Sequence, residues 1–568
     1  MFKDKFVLAL VIVGFAVYLT SILNGFVWDD FLQITDNPKT TSLSSLNTFF
    51  TEKTGYYYKP VMMSVFTLIY SIFKDNPFPY HLLQVLLYIA NAVLLYKLFN
   101  FFFTRFISFS LAAIFLVHPI NYEAAGYVAA MQDTLYMFWG LLAVYLIRRD
   151  LKKKEVITSG WLIFVMIFLS LLSKESGLLF VFATLLLTWS FAKKEIKKTF
   201  IYSGSAFIIY SILRFLIAGV GFVKNELVPI QDISLTERLI SIPQILFYYL
   251  KTFFYPKNLA IDQNWVVKEL TWVSFYLPLI WVSLAVLILI IGYIFIYRKR
   301  RTFAANYSFF LIWCIIGLLP YLQLVPLDMT VADRWFYFSA IGLLGIIGVF
   351  LSQFSLNSKK IISVIGLIMT GIVITLSIRT IIRAEDWKDS YTLYTHDLAL
   401  SRESYTINNN LGVELFKNNE KEEAAKRFKR ALEIMPKSWD AWNNLGVAYL
   451  DKGDFKEAKN AFEKAVEIDP TFYAANTNLA RVLLFYNSAL SAKEFIEKAL
   501  EIFPQDPVLL EILSMAEYRL GNFFRAIELA EQANLSAPND LNEYLLAQLR
   551  NSQKVDVEWV IRYYQSHL

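Results

Sequence analysis

Residues 271–301 read TWVSFYLPLIWVSLAVLILIIGYIFIYRKRR. No charge occurs from Thr271 to Tyr297, and then four bases follow at once, Arg298, Lys299, Arg300 and Arg301. A hydrocarbon core is about 30 Å thick, and a helix rising ~1.5 Å per residue crosses it in ~20 residues. The stretch is long enough to span a bilayer, and its basic end marks a cytoplasmic edge. This reading sets the fold class as a helical membrane protein.

The rest of the chain agrees. It is 56% hydrophobic and only 18% charged, with a mean hydropathy of +0.45. Soluble domains average about 25% charged residues. The net charge of +6 sits largely in short runs between apolar segments, so it implies no nucleic-acid partner. The single cysteine, Cys314, excludes a disulfide framework or a cysteine metal site. Eleven spans are expected, at 6–27, 80–103, 106–122, 127–147, 158–173, 176–192, 200–222, 271–297, 304–324, 335–354 and 361–380. The segment 238–255, interrupted by Pro243, reads as interfacial or re-entrant. With eleven spans the runs KDK (3–5), RRDLKKK (148–154), KKEIKK (193–198), RKRR (298–301) and KK (359–360) share one side. The N-terminus is then cytoplasmic, and everything after residue 381 is extracytoplasmic, in a periplasm, outside the cell or in an ER lumen.

The C-terminal part repeats. Pro436, Pro470, Pro504 and Pro538 recur every 34 residues, as do Ala431, Ala465, Ala499 and Ala533. This is the tetratricopeptide (TPR) period. The expected organisation is a membrane domain at 1–382, a linker at 383–404, four repeats at 405–540 starting near 405, 439, 473 and 507, and a capping helix in 541–568. Stacked repeats build concave surfaces that bind peptides or proteins, or serve as rigid spacers.

The eleven-span topology puts the notable acids and bases on the outer face: Asp29, Asp30, Glu123, Asp133, Glu175 and Asp333, with His81, His118, Lys174, Arg214 and Arg334. Ionisable groups at a membrane edge need partners to offset their desolvation and are functional candidates. Bland readings stand beside this one. Lys174–Glu175 also fits an ordinary turn, Asp333–Arg334 an interfacial pair, His118 a helix-end cap and Asp133 a buried partner of a base. Their joint location suits an anionic lipid-phosphate substrate and an acid/base step.

Several stretches resemble one family. GFVWDDFLQITDNP (25–38), YYYKPVMMSVFTLIY (56–70), PYHLLQVLLYIANAVLLYKL (79–98), FLVHPINYEAAGYVAAMQDTL (115–135), LLSKES (171–176) and ADRWFYFSAIG (332–342) occur in order before the TPR array. They are similar to the TMTC-type transmembrane and TPR-containing O-mannosyltransferases of the GT-C superfamily. Two positions depart from the family pattern: Met131 and Gln132 stand where a Gly-Arg-type pair is usual, and Asp333–Arg334–Trp335 replaces Glu-Arg-Tyr. The resemblance implies an inverting transfer of sugar from a polyprenyl-phosphate donor to a hydroxyl acceptor, a protein Ser or Thr recruited by the TPR groove. It implies Asp29 as general base, with Asp30 orienting it or binding acceptor. Arg334, Lys174 and Arg214 would hold the lipid phosphate, and His81, His118, Glu123, Asp133, Glu175 and Asp333 would line the site. No cofactor is required, while Mg²⁺ or Mn²⁺ could sit between paired acids and a phosphate. The alternatives are a GT-C enzyme acting on a glycan or lipid, a membrane-anchored TPR scaffold without activity, and a flippase for a lipid-linked saccharide.

Overall fold

A computed structural model of the chain describes residues 4–55, 57–154, 156–221, 228–354, 359–551 and 553–566. The last residue of the expected span 200–222 and parts of the expected segment 541–568 therefore lie outside the described residues. The chain forms two compact units, 1–401 and 402–568.

The first unit is a helical membrane body. Its helices are α1 (Lys5–Ile22), α2 (Pro60–Phe73), α3 (Phe78–Phe99), α4 (Arg105–Val117), α5 (Tyr122–Gly126), α6 (Met131–Lys154), α7 (Gly160–Ser173), α8 (Leu178–Phe191), α9 (Ile196–Ser211), α10 (Leu235–Phe254), α11 (Leu277–Lys299), α12 (Arg301–Leu318), α13 (Tyr337–Leu351), α14 (Lys359–Asp386) and α15 (Ser390–Leu400). Among the described residues eight helices are long and apolar enough to cross a membrane, or nine if the α4–α5 pair, bent by 54° at His118, is one span. The protein is a multi-pass membrane protein. Two more of the eleven expected spans fall on the shorter apolar helices Gly160–Ser173 and Glu175–Phe191, and each expected span meets a helix. Helix α2 was not anticipated, because its 14 residues are too few to cross by themselves.

Burial separates the helices. The membrane window of α6 is 78% buried and that of α13 is 72%, whereas those of α11 and α14 are 11% and 6%. Lipid is as apolar as leucine, so helices meet where small residues let backbones approach. Gly342 of α13 shows this: a Cβ there would lie 2.6 Å from the Phe310 carbonyl oxygen of α12. Basic residues end α6 and α11, far from the first turn of α6, where Asp133 sits.

Residues 383–404 correct the expected linker. Helix α14 runs on to Asp386, and α15 packs in the first unit. Arg383, 1% exposed, donates to Asp386, and its Nη1 lies 3.5 Å from Asp397 of α15. Asp397 also accepts from the Ile261 N–H. A buried arginine needs such partners, and they fold the segment onto the body.

The second unit pairs α16 (Tyr405–Lys417) with α17 (Lys421–Ile434), α18 (Trp439–Lys452) with α19 (Phe455–Ile468), α20 (Tyr473–Tyr486) with α21 (Ala489–Ile502), and α22 (Pro507–Arg519) with α23 (Phe523–Ser536). Gly446 permits one pairing, since a Cβ there would meet the Phe462 ring at 2.6 Å. The expected cap is two helices, α24 (Asp540–Arg550) and α25 (Val557–Ser566).

Candidate functional site

The site begins at the turn after α1. Asn24 Nδ2 donates to the Ala384 carbonyl, and the Gly25 N–H donates to that of Lys388, so the turn is tied to the end of α14. Trp28 follows with φ +51°, a left-handed backbone rare for a large side chain. Such strain is tolerated only where the surroundings fix it, and it tends to mark functional positions. The turn sends the two adjacent acids opposite ways.

Asp30 is fully buried, its carboxylate accepting from the Val27 N–H at 2.9 Å and the Ala129 N–H at 2.6 Å. Burial pushes its pKa up to about 8, against the two N–H donors that favour the ion. Asp29 is half-buried, its N–H donates to Tyr127 Oη at 3.2 Å, and it lines a cavity. Burial raises its pKa, while Arg334 and Lys59 oppose the rise. The expectation that both acids face the site is corrected: Asp30 holds the turn against residues 127–129.

The cavity has a volume of about 480 Å³. Its polar wall carries Asp29, Lys59, Lys174, Glu175, Asp328 and Arg334, and its other end is apolar, with Leu178, Leu179 and Phe182 facing Ile316 and Leu319. A second cavity of about 670 Å³ adjoins it, lined by the polar loop residues Asp36, Asn37, Lys39, Lys53 and Thr54. Asp29, Gln33, Tyr57 and Lys59 line both. Asp29 therefore stands in a shared wall.

Three bases reach the first cavity in different states. Lys174 is tied to Asp133, with Nζ 2.8 and 3.0 Å from the two carboxylate oxygens. Arg334 donates to Glu123 Oε2 at 2.9 Å. Lys59, 7% exposed, has no carboxylate at ion-pair distance among the described residues, and its ammonium lies 3.8 Å from the centre of the Tyr57 ring. Burial lowers its pKa to about 8. Lys59 was missed as a site candidate. The signal was a lysine between a tyrosine run and Pro60 at the mouth of an apolar helix, a poor place for an unpaired charge without a ligand.

The other expected residues divide. Glu175 lines the cavity and lies 3.5 Å from Arg214 Nη1, which also donates to Tyr210; Arg214 itself does not reach the cavity. Glu123 and Asp133 are buried partners of bases rather than lining residues. Asp333 accepts from Tyr248 Oη at 2.5 Å and, unlike its neighbour Arg334, does not line the cavity. His81 sits 3.3 Å from the Gly25 carbonyl, outside the cavity. His118 Nδ1 accepts from the Ile120 N–H, so its proton is on Nε2 and is donated to the Phe253 carbonyl at 2.8 Å. It caps the α4–α5 bend and clamps α10. Asp133, Asp333 and His118 are satisfied by these neighbours, whereas Glu123 Oε1 and His81 Nδ1 are buried without a hydrogen-bond partner among the described residues. Among the described residues no three His, Cys, Asp or Glu side chains gather as a metal site.

Residues 58–217 match the family model described as dolichyl-phosphate-mannose-protein mannosyltransferase, and residues 412–453 and 439–472 match TPR models. Protein O-mannosyl-transferase F38B6.6 of Caenorhabditis elegans is 23% identical over 453 residues, covering 76% of this chain and 62% of its own. Protein O-mannosyl-transferase TMTC3 is 22% identical in Mus musculus, covering 76% of this chain and 51% of its own, and 24% identical in Homo sapiens, covering 74% and 50%. Over about three quarters of its length this chain is similar to the TMTC type. It spans one half to about three fifths of the length of these relatives. The mannosyltransferase match encloses Lys59, Asp133 and Lys174.

Proposed function

We propose that the protein is a membrane glycosyltransferase that moves a sugar from a polyprenyl-phosphate donor to a protein hydroxyl. The observation that carries this reading is the position of Asp29 in the wall between two cavities, beside the unpaired Lys59. One cavity joins bases to an apolar end, which suits a phosphate with a hydrocarbon tail. The other sets the polar loop residues Asp36, Asn37 and Lys39 beside Leu32, Met62 and Met63, a mixed lining that suits a peptide segment.

A Ser or Thr hydroxyl in the second cavity donates its proton to the Asp29 carboxylate as its oxygen attacks the anomeric carbon. The bond from that carbon to the phosphate oxygen breaks, and its electron pair leaves on the lipid phosphate. Lys59 and Arg334 neutralise the growing charge. Lys174 contributes less, because Asp133 already holds it. Asp29 then releases its proton to water. One displacement inverts the anomeric centre and needs one reactive carboxylate. A raised pKa makes Asp29 a stronger base, and a positioned base is worth ~10²–10⁴ in rate. The chain's own bases carry the phosphate charge in this mechanism, so transfer should persist in a chelator.

Orientation follows from α6. Asp133 stands in its first turn and Lys152 in its last, about 28 Å apart at ~1.5 Å per residue. The basic runs thus lie at the far end of a spanning helix from the site. We assign the site and the TPR unit to the extracytoplasmic side, where the TPR unit recruits protein acceptors.

Incubation of purified protein with radiolabelled polyprenyl-phosphate mannose and extracytoplasmic protein extract tests the proposal. Label on protein with wild type, and none with a folded Asp29→Asn variant, is the expected result. Equal labelling by Asp29→Asn removes Asp29 as base. Label on glycan or lipid alone moves the acceptor to another class. Because Gln132 lines the cavity where the family pattern has an arginine, other donor sugars belong in the same assay.

A further inference from the structure

Helix α25 does not continue the solenoid. A second helix of a fifth pair would pack on α24 and leave the earlier first helices alone. Helix α25 does pack on α24, Trp559 lying 4.3 Å from the Tyr544 ring, but it also lies across the first helices of two repeats. Tyr564, 5% exposed, packs on Phe485 of α20 at 5.8 Å and lies under the Arg481 guanidinium at 4.7 Å. Its hydroxyl donates to Glu511 of α22, a carboxylate only 3% exposed. Val560 is fully buried in the same cluster. The strand of chain leading in is pinned too: the Val555 N–H donates to Tyr518 Oη, and the Asp556 N–H to Tyr544 Oη. The outer side, Glu558 and Arg562, is exposed. A helix with apolar anchors three and four residues apart, lying in a groove, is a recurrent recognition mode.

The recognising pair occurs once. The 34-residue step places Val447 and Thr477 where Arg481 and Glu511 stand, and one repeat earlier Val413 and Asn443. Only the junction of the third and fourth repeats offers a cation to face a ring and a buried acceptor for its hydroxyl.

We propose that the first-helix face of the third and fourth repeats is a helix-binding site, keyed by Arg481 and Glu511 to a tyrosine, which α25 fills in cis. The partner that enters in its place is an amphipathic helix with apolar residues spaced like Val557 and Val560, followed four residues on by tyrosine. The site admits such a partner only as α25 leaves, so capture by this face is self-limited. Glycosyl transfer plays no part in the proposal, and the assay reads binding alone.

The probe is a fluorescein-labelled synthetic peptide of residues 553–566. Its binding is measured by anisotropy to the detergent-solubilised full chain and to a chain ending at Asn551. The shortened chain should bind it, and the full chain ~10²-fold more weakly, because a short tether holds the cis helix at millimolar effective concentration. Arg481→Ala or Glu511→Gln in the shortened chain should weaken binding about tenfold. Equal binding to both chains, or none to the shortened one, overturns the proposal. Hydrogen exchange on the full chain guards against misfolding of the shortened one. Amides of α25 should exchange before those of α20 and α22, and faster still in Tyr564→Phe. Exchange of α25 in step with α22 refutes an exchangeable occupant.

Discussion

Asp29 and Asp30 are neighbours with opposite environments. Sequence marks both as costly charges beside an apolar span, but only backbone geometry separates them. Asp30 has its pKa raised in the folded protein, so its contribution to stability is full below the unfolded value near 4 and is lost as pH rises through about 8. Asp30→Asn should lower stability at pH 5 by about 1–3 kcal/mol, since one backbone N–H then faces an amide N–H₂. The same variant should flatten the decline between pH 4 and 8, as read by thermal unfolding in detergent. Lys59 moves the other way, its pKa lowered to about 8 by burial. Its cationic form is lost as pH rises through about 8, so the KM for donor should climb above that pH while the acid limb, set by Asp29, is unchanged. Lys59→Arg should shift that alkaline limb upward, and Lys59→Met should raise the donor KM by at least tenfold at pH 7. A pH-independent donor KM in wild type would count against Lys59 as the phosphate ligand.

At the level of elements, periodicity and length located the helices, while close approach decided how they pair. The 34-residue step found every TPR pair, because small residues and prolines must recur where helices touch and stop. Gly446→Val should cost the array about 1–3 kcal/mol by forcing a side chain into the Phe462 ring, measured as an earlier thermal transition of the TPR unit. The α4–α5 bend was legible only as His118–Pro119. Its geometry depends on His118 reaching the Phe253 carbonyl, 135 residues away, which no local pattern reports. Helix α15 was read as linker for a similar reason: its hold on the body is the Arg383–Asp397 contact, a long-range pairing of charges. For α25, position after the fourth repeat predicted a helix that caps, while the Arg481–Glu511 pair draws it back across the repeats.

For the whole molecule, the two units make separate predictions. A chain ending at Ser401 should keep donor binding and lose most transfer to protein acceptors, seen as unchanged donor Kd with a fall in kcat/KM for protein but not for a short acceptor peptide. Equal loss for both acceptors would assign the TPR unit to stability of the body instead. The sequence by itself determined the membrane-spanning class, the order of the apolar helices other than α2, the repeat period and the gathering of acids and bases near particular loops. These follow from local quantities: apolar length, charge placement and recurrence. The tertiary structure alone decided which of those charges meet a cavity. Burial and partnering depend on residues distant in the chain, so Asp133, Asp333 and His118 are held by neighbours and Glu123 and His81 lie off the cavity, while Asp29, Lys174, Glu175, Arg334 and the unremarked Lys59 line it.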